Sequence, residues 1–244
     1  MPADAGDYPT MDEQQLEAIV RSNSLGLQLV RSNLTLKCQV PLFYSSTNFS
    51  ANLPLSALKS IAFALAAEGR LAQMQHRQTD AAKSHLDIIR LGVASSHGGI
   101  MIHALVGIAI ENIGTSELQK VANTLDQKTC KEAAKELQDI ETQRDTWKQV
   151  LQQEHYWSSK TFSSFPNFVL RLISFNSTRK NEAKAEQKYE IAMKNTRRLM
   201  INLAARAYTL DKGRPPNSMA DLIPAYLKSI PTDSTTGANM ALSQ

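Results

Sequence analysis

"LSALKSIAFALAAEGRLAQMQHRQTDAAKSHLDIIRLGVA", residues 55–94, decides the fold. In its first part Leu58, Ile61, Ala62, Leu65, Ala66, Gly69 and Ala72 recur every three or four positions, which draws one apolar stripe along a helix running from Leu55 to about Gln78. Ala82, Leu86, Ile89 and Val93 draw a matching stripe in the second part, and Thr79 or Asp80 can cap the helix that carries it. Two long amphipathic helices with so short a joint must fold back on each other as an antiparallel hairpin.

The stretch "TDAAKSHLDIIRLG" resembles the second helix of a tetratricopeptide repeat. No second copy follows at a period of about 34 residues, so a hairpin bundle is expected rather than a repeat array. Composition agrees with an all-α class. The 244 residues are 42% apolar but only 6% aromatic, with few Gly and Pro, which favours helices over sandwiches or barrels.

Upstream, "MPADAGDYPT" is acidic and polar, reads as a flexible tail over residues 1–10, and carries neither part of a secretory signal. Leu16, Ile19, Val20, Leu25, Leu29 and Val30 sit at helical spacing, and Ser22, Asn23 and Ser24 predict a break into two short helices. Pro41, Pro54 and a Ser/Thr/Asn cluster then predict an extended connector, pinned by Val40, Leu42, Phe43 and Tyr44.

Downstream, "GIMIHALVGIAI", residues 99–110, is too short to span a membrane and is interrupted by His103, so it reads as a buried helix ending near Asn112. A shorter helix with Leu118, Val121, Ala122 and Leu125 is expected next. Thr129 and Glu132 form a T-x-x-E capping box, predicting one long helix to about Trp157 with Cys130, Ala133, Leu137, Ile140, Trp147 and Leu151 on its seam. Arg144 occupies the remaining seam position. Together residues 11–160 read as a helical-hairpin bundle.

Residues 161–180 read as a connector, because Phe162, Phe165, Phe168 and Phe175 fall within it, four of the chain's seven Phe. A hydrophobic strap under the bundle is weighed there against an exposed lipid or partner contact. Residues 181–244 read as a long helix, from about Asn181 to Leu210, and an irregular Pro-rich arm. From Arg179 to Arg198 lie seven basic residues, of which Lys180, Lys184 and Lys188 align on one face; a solvated face is weighed against binding to polyanions or anionic lipid.

Net charge is +4 without a dense basic stripe or interleaved aromatics, so no nucleic-acid partner is expected. Ser84, His85 and Asp87 are neighbours on one helix and point in different directions, which does not make a triad. His97 and His103 lie too far round a helix to chelate together, and Gly98–Gly99 lacks the strand and lysine of a phosphate loop. The sequence therefore assigns no catalytic, cofactor-binding or metal-ligating residue. Cys38 and Cys130 lack a paired spacing and are expected as two buried free thiols, with a disulfide left open. Sequons at Asn33, Asn48 and Asn176 matter only in a glycosylating pathway.

The C-terminal segment is the most stereotyped. Gly213 supplies a left-handed stop, Pro215 and Pro216 forbid continuation, and Asn217 or Ser218 caps a short helix through Ala220, Leu222 and Ile223. Leu222, Ile223, Tyr226, Leu227 and Ile230 are the points that would fold the arm back on the long helix. Ala204, Tyr208, Gly213, Pro216, Leu222, Pro224, Tyr226, Leu227, Ile230, Pro231, Asp233, Thr236 and Gly237 form a pattern that resembles the segment after the long helix of type II secretion major pseudopilins. With "AAEGRL" and "LVGIAIE", most of the chain is similar to an uncharacterised family of bacterial envelope-associated helical proteins.

Ser234 stands where pseudopilins carry Pro, and only "ANMALSQ" follows Gly237, so no calcium ligands are carried over. The resemblance implies a bacterial envelope setting if an anchor lies upstream, and a cytoplasmic one otherwise. The expected function is a non-enzymatic interaction or scaffold domain with a protein partner. The alternative is a binder of lipid or small hydrophobic ligands in a closed apolar pocket. A hydrolase comes third and requires His85, His97, His103 or His155 to converge with a carboxylate and a nucleophile.

Overall fold

The computed structural model describes residues 5–34, 36–42, 44, 55–161 and 168–242. Seven helices run in order through these residues: α1 Glu13–Asn33, α2 Leu55–Met74, α3 Gln78–Ala94, α4 Met101–Val121, α5 Gln127–Thr142, α6 Trp147–Thr161 and α7 Phe168–Lys212. Among the described residues there is no strand, only an isolated bridge between Thr232 and Asn239. The chain is an all-α bundle.

The hairpin of α2 and α3 forms as its stripes require. Its turn differs in detail: Arg77, not Thr79 or Asp80, occupies the cap position, after His76 at φ 59°. Asp80 instead pairs with Arg77, and the Thr79 hydroxyl meets that of Thr129 at 3.0 Å.

Three further boundaries correct the sequence reading, and each has a local cause. Helix α1 is continuous, because the Ser22 and Asn23 side chains both donate to the Ile19 carbonyl of their own helix and cap no new one. Helix α4 runs on past Asn112, since Thr115 likewise donates back to the Glu111 carbonyl and leaves no group free to stop it. The helix expected to reach Trp157 is two helices. Helix α5 is capped by Asp126, whose carboxylate accepts from the Thr129 amide, so Thr129 lies inside the helix. It ends at Thr142; Thr146 and Gln149 then form a T-x-x-Q box that opens α6.

Two regions read as irregular are ordered differently. Ala5–Thr10 is a 3-10 turn rather than a flexible tail, since Tyr8 is buried and its hydroxyl donates to Glu117 on α4 at 2.8 Å. In the supposed connector over 161–180 the backbone is helical from Phe168, so α7 extends some 13 residues earlier than expected. The Phe side chains, and with them that stretch's strap-or-contact alternative, lie outside the described residues, as do Phe43 and Asn48. Cys130 is buried but Cys38 is exposed, and both are free thiols.

Helices α3 and α4 form the centre. On one side Leu16, Leu65 and Ile88 join α1, α2 and α3; on the other Ile89, Leu118, Leu137 and Leu203 join α3, α4, α5 and α7. A smaller cluster of Ala104, Trp147, Val150 and Ala185 holds α6. The centre is tight because two glycines let backbones meet: a Cβ on Gly107 would lie 2.5 Å from the Gly92 carbonyl oxygen. At Gly92 a Cβ would sit 2.4 Å from Glu111 Cγ, so its absence is what houses the Glu111 side chain.

The arm folds back as its apolar residues require. Gly213 takes φ 68°, Ser218 caps the 3-10 turn Met219–Leu222, and Leu222, Tyr226 and Leu227 are buried against α5 and α7. Asp233 accepts from the Thr235 and Thr236 amides and Gly237 takes φ 69°, so the "TDSTTG" stretch is a tight turn closed by its own Asp. Arg197 of α7 donates to the Thr232 carbonyl and pins that turn in place.

Candidate functional site

Three polar clusters and one groove stand out from this frame. The first cluster is a ladder of side chains across α1, α2, α3 and α5. Arg31 holds Glu68 through both amino groups and Asp87 through Nε at 2.7 Å; Arg90 continues from Asp87 to Glu136. Ser84 Oγ donates to Glu68 at 2.8 Å. Ser84 and Asp87 therefore face Arg31, while His85 between them packs on α2 beside Gly69 and Gln73 and makes no bond to Arg31.

His85 has no exposed surface. Its Nε2 lies 2.9 Å from Gln73 Nε2, Nδ1 has no partner, and a Cβ on Gly69 would touch the ring. Burial lowers its pKa to about 4, with Lys120 nearby adding to the effect and Glu117 opposing it. The folded chain thus refuses a proton that the unfolded chain accepts below about pH 6.5. Stability is full above that pH and falls as pH drops toward 4, by on the order of 3 kcal/mol. His103, its pKa also lowered by burial, acts in the same sense. Urea unfolding at pH 7 and pH 4.5 should show this loss, and His85→Gln should remove most of the difference between the two. An unchanged difference in the variant assigns the acid sensitivity elsewhere.

The other histidines stand apart. His97 Nδ1 lies 2.9 Å from Asp145, whose other oxygen accepts the Gly98 amide; His103 Nδ1 accepts the Ile100 amide; His155 faces Glu182 at the surface. The convergence that a hydrolase needs is not formed by these four. Among the described residues no group of three or more His, Cys, Asp or Glu is placed to hold a metal ion.

The third cluster is a buried ion pair. Both amino groups of Arg144, in the turn between α5 and α6, grip the Glu111 carboxylate of α4, and the two side chains are 6% and 2% exposed. Burial opposes the guanidinium charge, but the carboxylate opposite more than offsets it and raises its pKa. Arg144 Nε has no partner. The pair locks the turn over the Gly92 gap, and neither side chain lines the groove between α4 and α7.

The groove lies between α4 and α7. Ala104 and Ala185 share one cluster and Leu118 and Leu203 another, so the two helices run parallel with a furrow of about 850 Å³ between them. Its floor is apolar: Ile108, Ala192 and Leu199 are all buried. Asn112, Gln119 and Asn195 stand exposed along its walls, with Ile191 half exposed and Lys188 and Arg198 on the α7 side. From Leu105 to Gln119 it spans about 21 Å at 1.5 Å per residue.

Part of this is written in local sequence. Lys188 was legible as one of a stripe with Lys180 and Lys184, all three of which are exposed on α7. The groove itself was not, because the α4 wall crosses the position where a helix break was expected. No helix among the described residues is long and apolar enough to cross a membrane. Compared with protein-family models, with curated proteins and with solved structures, the chain finds no match.

Proposed function

We propose that the chain is a non-enzymatic helical interaction domain that docks a helix of a protein partner in the furrow between α4 and α7. The observation that supports this reading is the form of the furrow: an apolar floor, amide walls, a straight run of about four helical turns and an open top. A lipid or small hydrophobic ligand calls for an enclosed apolar cavity, and a row of exposed Asn and Gln residues is poor lining for an acyl chain. The bacterial cell envelope is kept as the proposed setting, on the resemblance of the C-terminal segment alone.

A direct comparison tests the choice. The intact chain is titrated with a fluorescein-labelled amphipathic helical peptide of about 18 residues and, separately, with a fluorescent fatty-acid analogue. Saturable peptide binding that Ala109→Trp abolishes is the expected result, because Ala109 is an exposed wall residue whose enlargement fills the furrow without disturbing the core. Saturable fatty-acid binding with no peptide binding makes the protein a carrier and overturns the proposal.

A further inference from the structure

We infer that the α4–α7 furrow is addressed to an acidic amphipathic helix, an inference that rests on the docking reading above and adds the chemistry of the partner. Its lining carries two cations, Lys188 and Arg198, and no carboxylate. The neighbouring cations of α7 are already used by the fold. Lys194 pairs with Asp233 at 3.5 Å and Arg197 with Glu141, whereas no ion pair holds Lys188 or Arg198 among the described residues.

Register makes the arrangement directional. At 100° per residue, Lys180, Lys184, Lys188 and Arg198 fall within an arc of about 80° on α7, the same side that walls the furrow. The exposed stripe therefore leads into the furrow instead of away from it. Lys188 and Arg198 stand about 15 Å apart along the axis, which matches carboxylates at i and i+11 on a docked helix, about 16 Å apart on one face. Leucines at i+4 and i+8, turned 40–80° round that helix, then meet the recessed floor of Ile108, Ala192 and Leu199. A convex helix reaches that floor, whereas a flat lipid surface meets only the rim. No aromatic side chain lines the furrow to stack a base.

The probes are two labelled 18-residue helical peptides, one with Glu at i and i+11 and its twin with Lys there, both with Leu at i+4 and i+8. Fluorescence anisotropy on the intact chain should give the Glu peptide an affinity about tenfold above its twin's, a gap that narrows with added salt. Lys188→Glu/Arg198→Glu should reverse the order, and circular dichroism establishes that this variant is folded. Equal affinities that the reversal leaves unmoved overturn the acidic assignment while the docking reading stands. Peptide binding untouched by Ala109→Trp overturns both. Binding to phosphatidylglycerol vesicles alone, lost on charge reversal, assigns the face to a membrane and overturns the inference. So does a dimer that forms without peptide and is abolished by Ala109→Trp.

Discussion

Arg144→Met is expected to destabilise the fold by about 3–5 kcal/mol, because it strands a carboxylate that has almost no access to water. Glu111 is 1% exposed, its stem fills the gap over Gly92, and Arg144 supplies both of the hydrogen bonds that its oxygens receive from another side chain. Without the guanidinium the carboxylate must either ionise unpaired or hold a proton well above the usual carboxylate range. The second course makes the damage pH-dependent: a raised folded pKa means that the folded variant binds more protons, so the penalty should shrink as pH falls toward 5. Removing both charges is the control. Glu111→Leu/Arg144→Met should recover most of the loss, since a buried pair gains little over apolar residues of similar volume. Guanidinium unfolding of the two single variants and the double variant checks this cycle. A single variant within about 1 kcal/mol of the parent would show that water reaches the pair and that the turn over Gly92 is open in solution.

That pair also marks how far the sequence could be read. Arg144 stood at a seam position of an expected long helix, an anomaly visible in the periodicity, but periodicity has no means of naming a partner 33 residues away. The all-α class, the α2–α3 hairpin and the back-folded arm were legible because each rests on local spacing, a short joint or a Pro/Gly stop. The misplaced boundaries share one cause. Ser22, Asn23 and Thr115 look like interruptions, and whether a polar side chain caps a new helix or bonds back to its own carbonyls depends on what the helix packs against. Asp126 and Thr146 were missed for the opposite reason: each is an available cap close to a more conspicuous pattern. The furrow depends on α4 and α7 lying side by side and parallel, a relation between segments about 80 residues apart that no local pattern encodes. Only its α7 wall left a trace, in the Lys stripe.

Leu222→Ala/Leu227→Ala is expected to release the C-terminal arm from the bundle. Both leucines are fully buried, and each truncation alone should cost about 2–5 kcal/mol through lost transfer energy and the cavity left behind. They should not add in full. The Leu227 amide donates to the Leu222 carbonyl, so the two side chains dock as one unit and the second truncation acts on an arm already loosened. Release also breaks polar ties: Gln138 to the Lys228 amide and the Ser229 carbonyl, Lys228 to Asp139, and Tyr226 to Asp211. It uncovers Tyr208 on α7, whose ring meets that of Tyr226 with centroids 5.5 Å apart. The readout separates this from general unfolding. Trypsin should cut the double variant at Lys228 far faster than the parent, while sites inside α5 stay protected under conditions where the bundle persists. If Lys228 and α5 become susceptible together, the arm is an integral part of one cooperative unit and the clamp has no separate equilibrium. If neither changes and stability holds within about 1 kcal/mol, the two leucines do not anchor the arm, and the contacts of Met219 and Tyr226 must hold it instead.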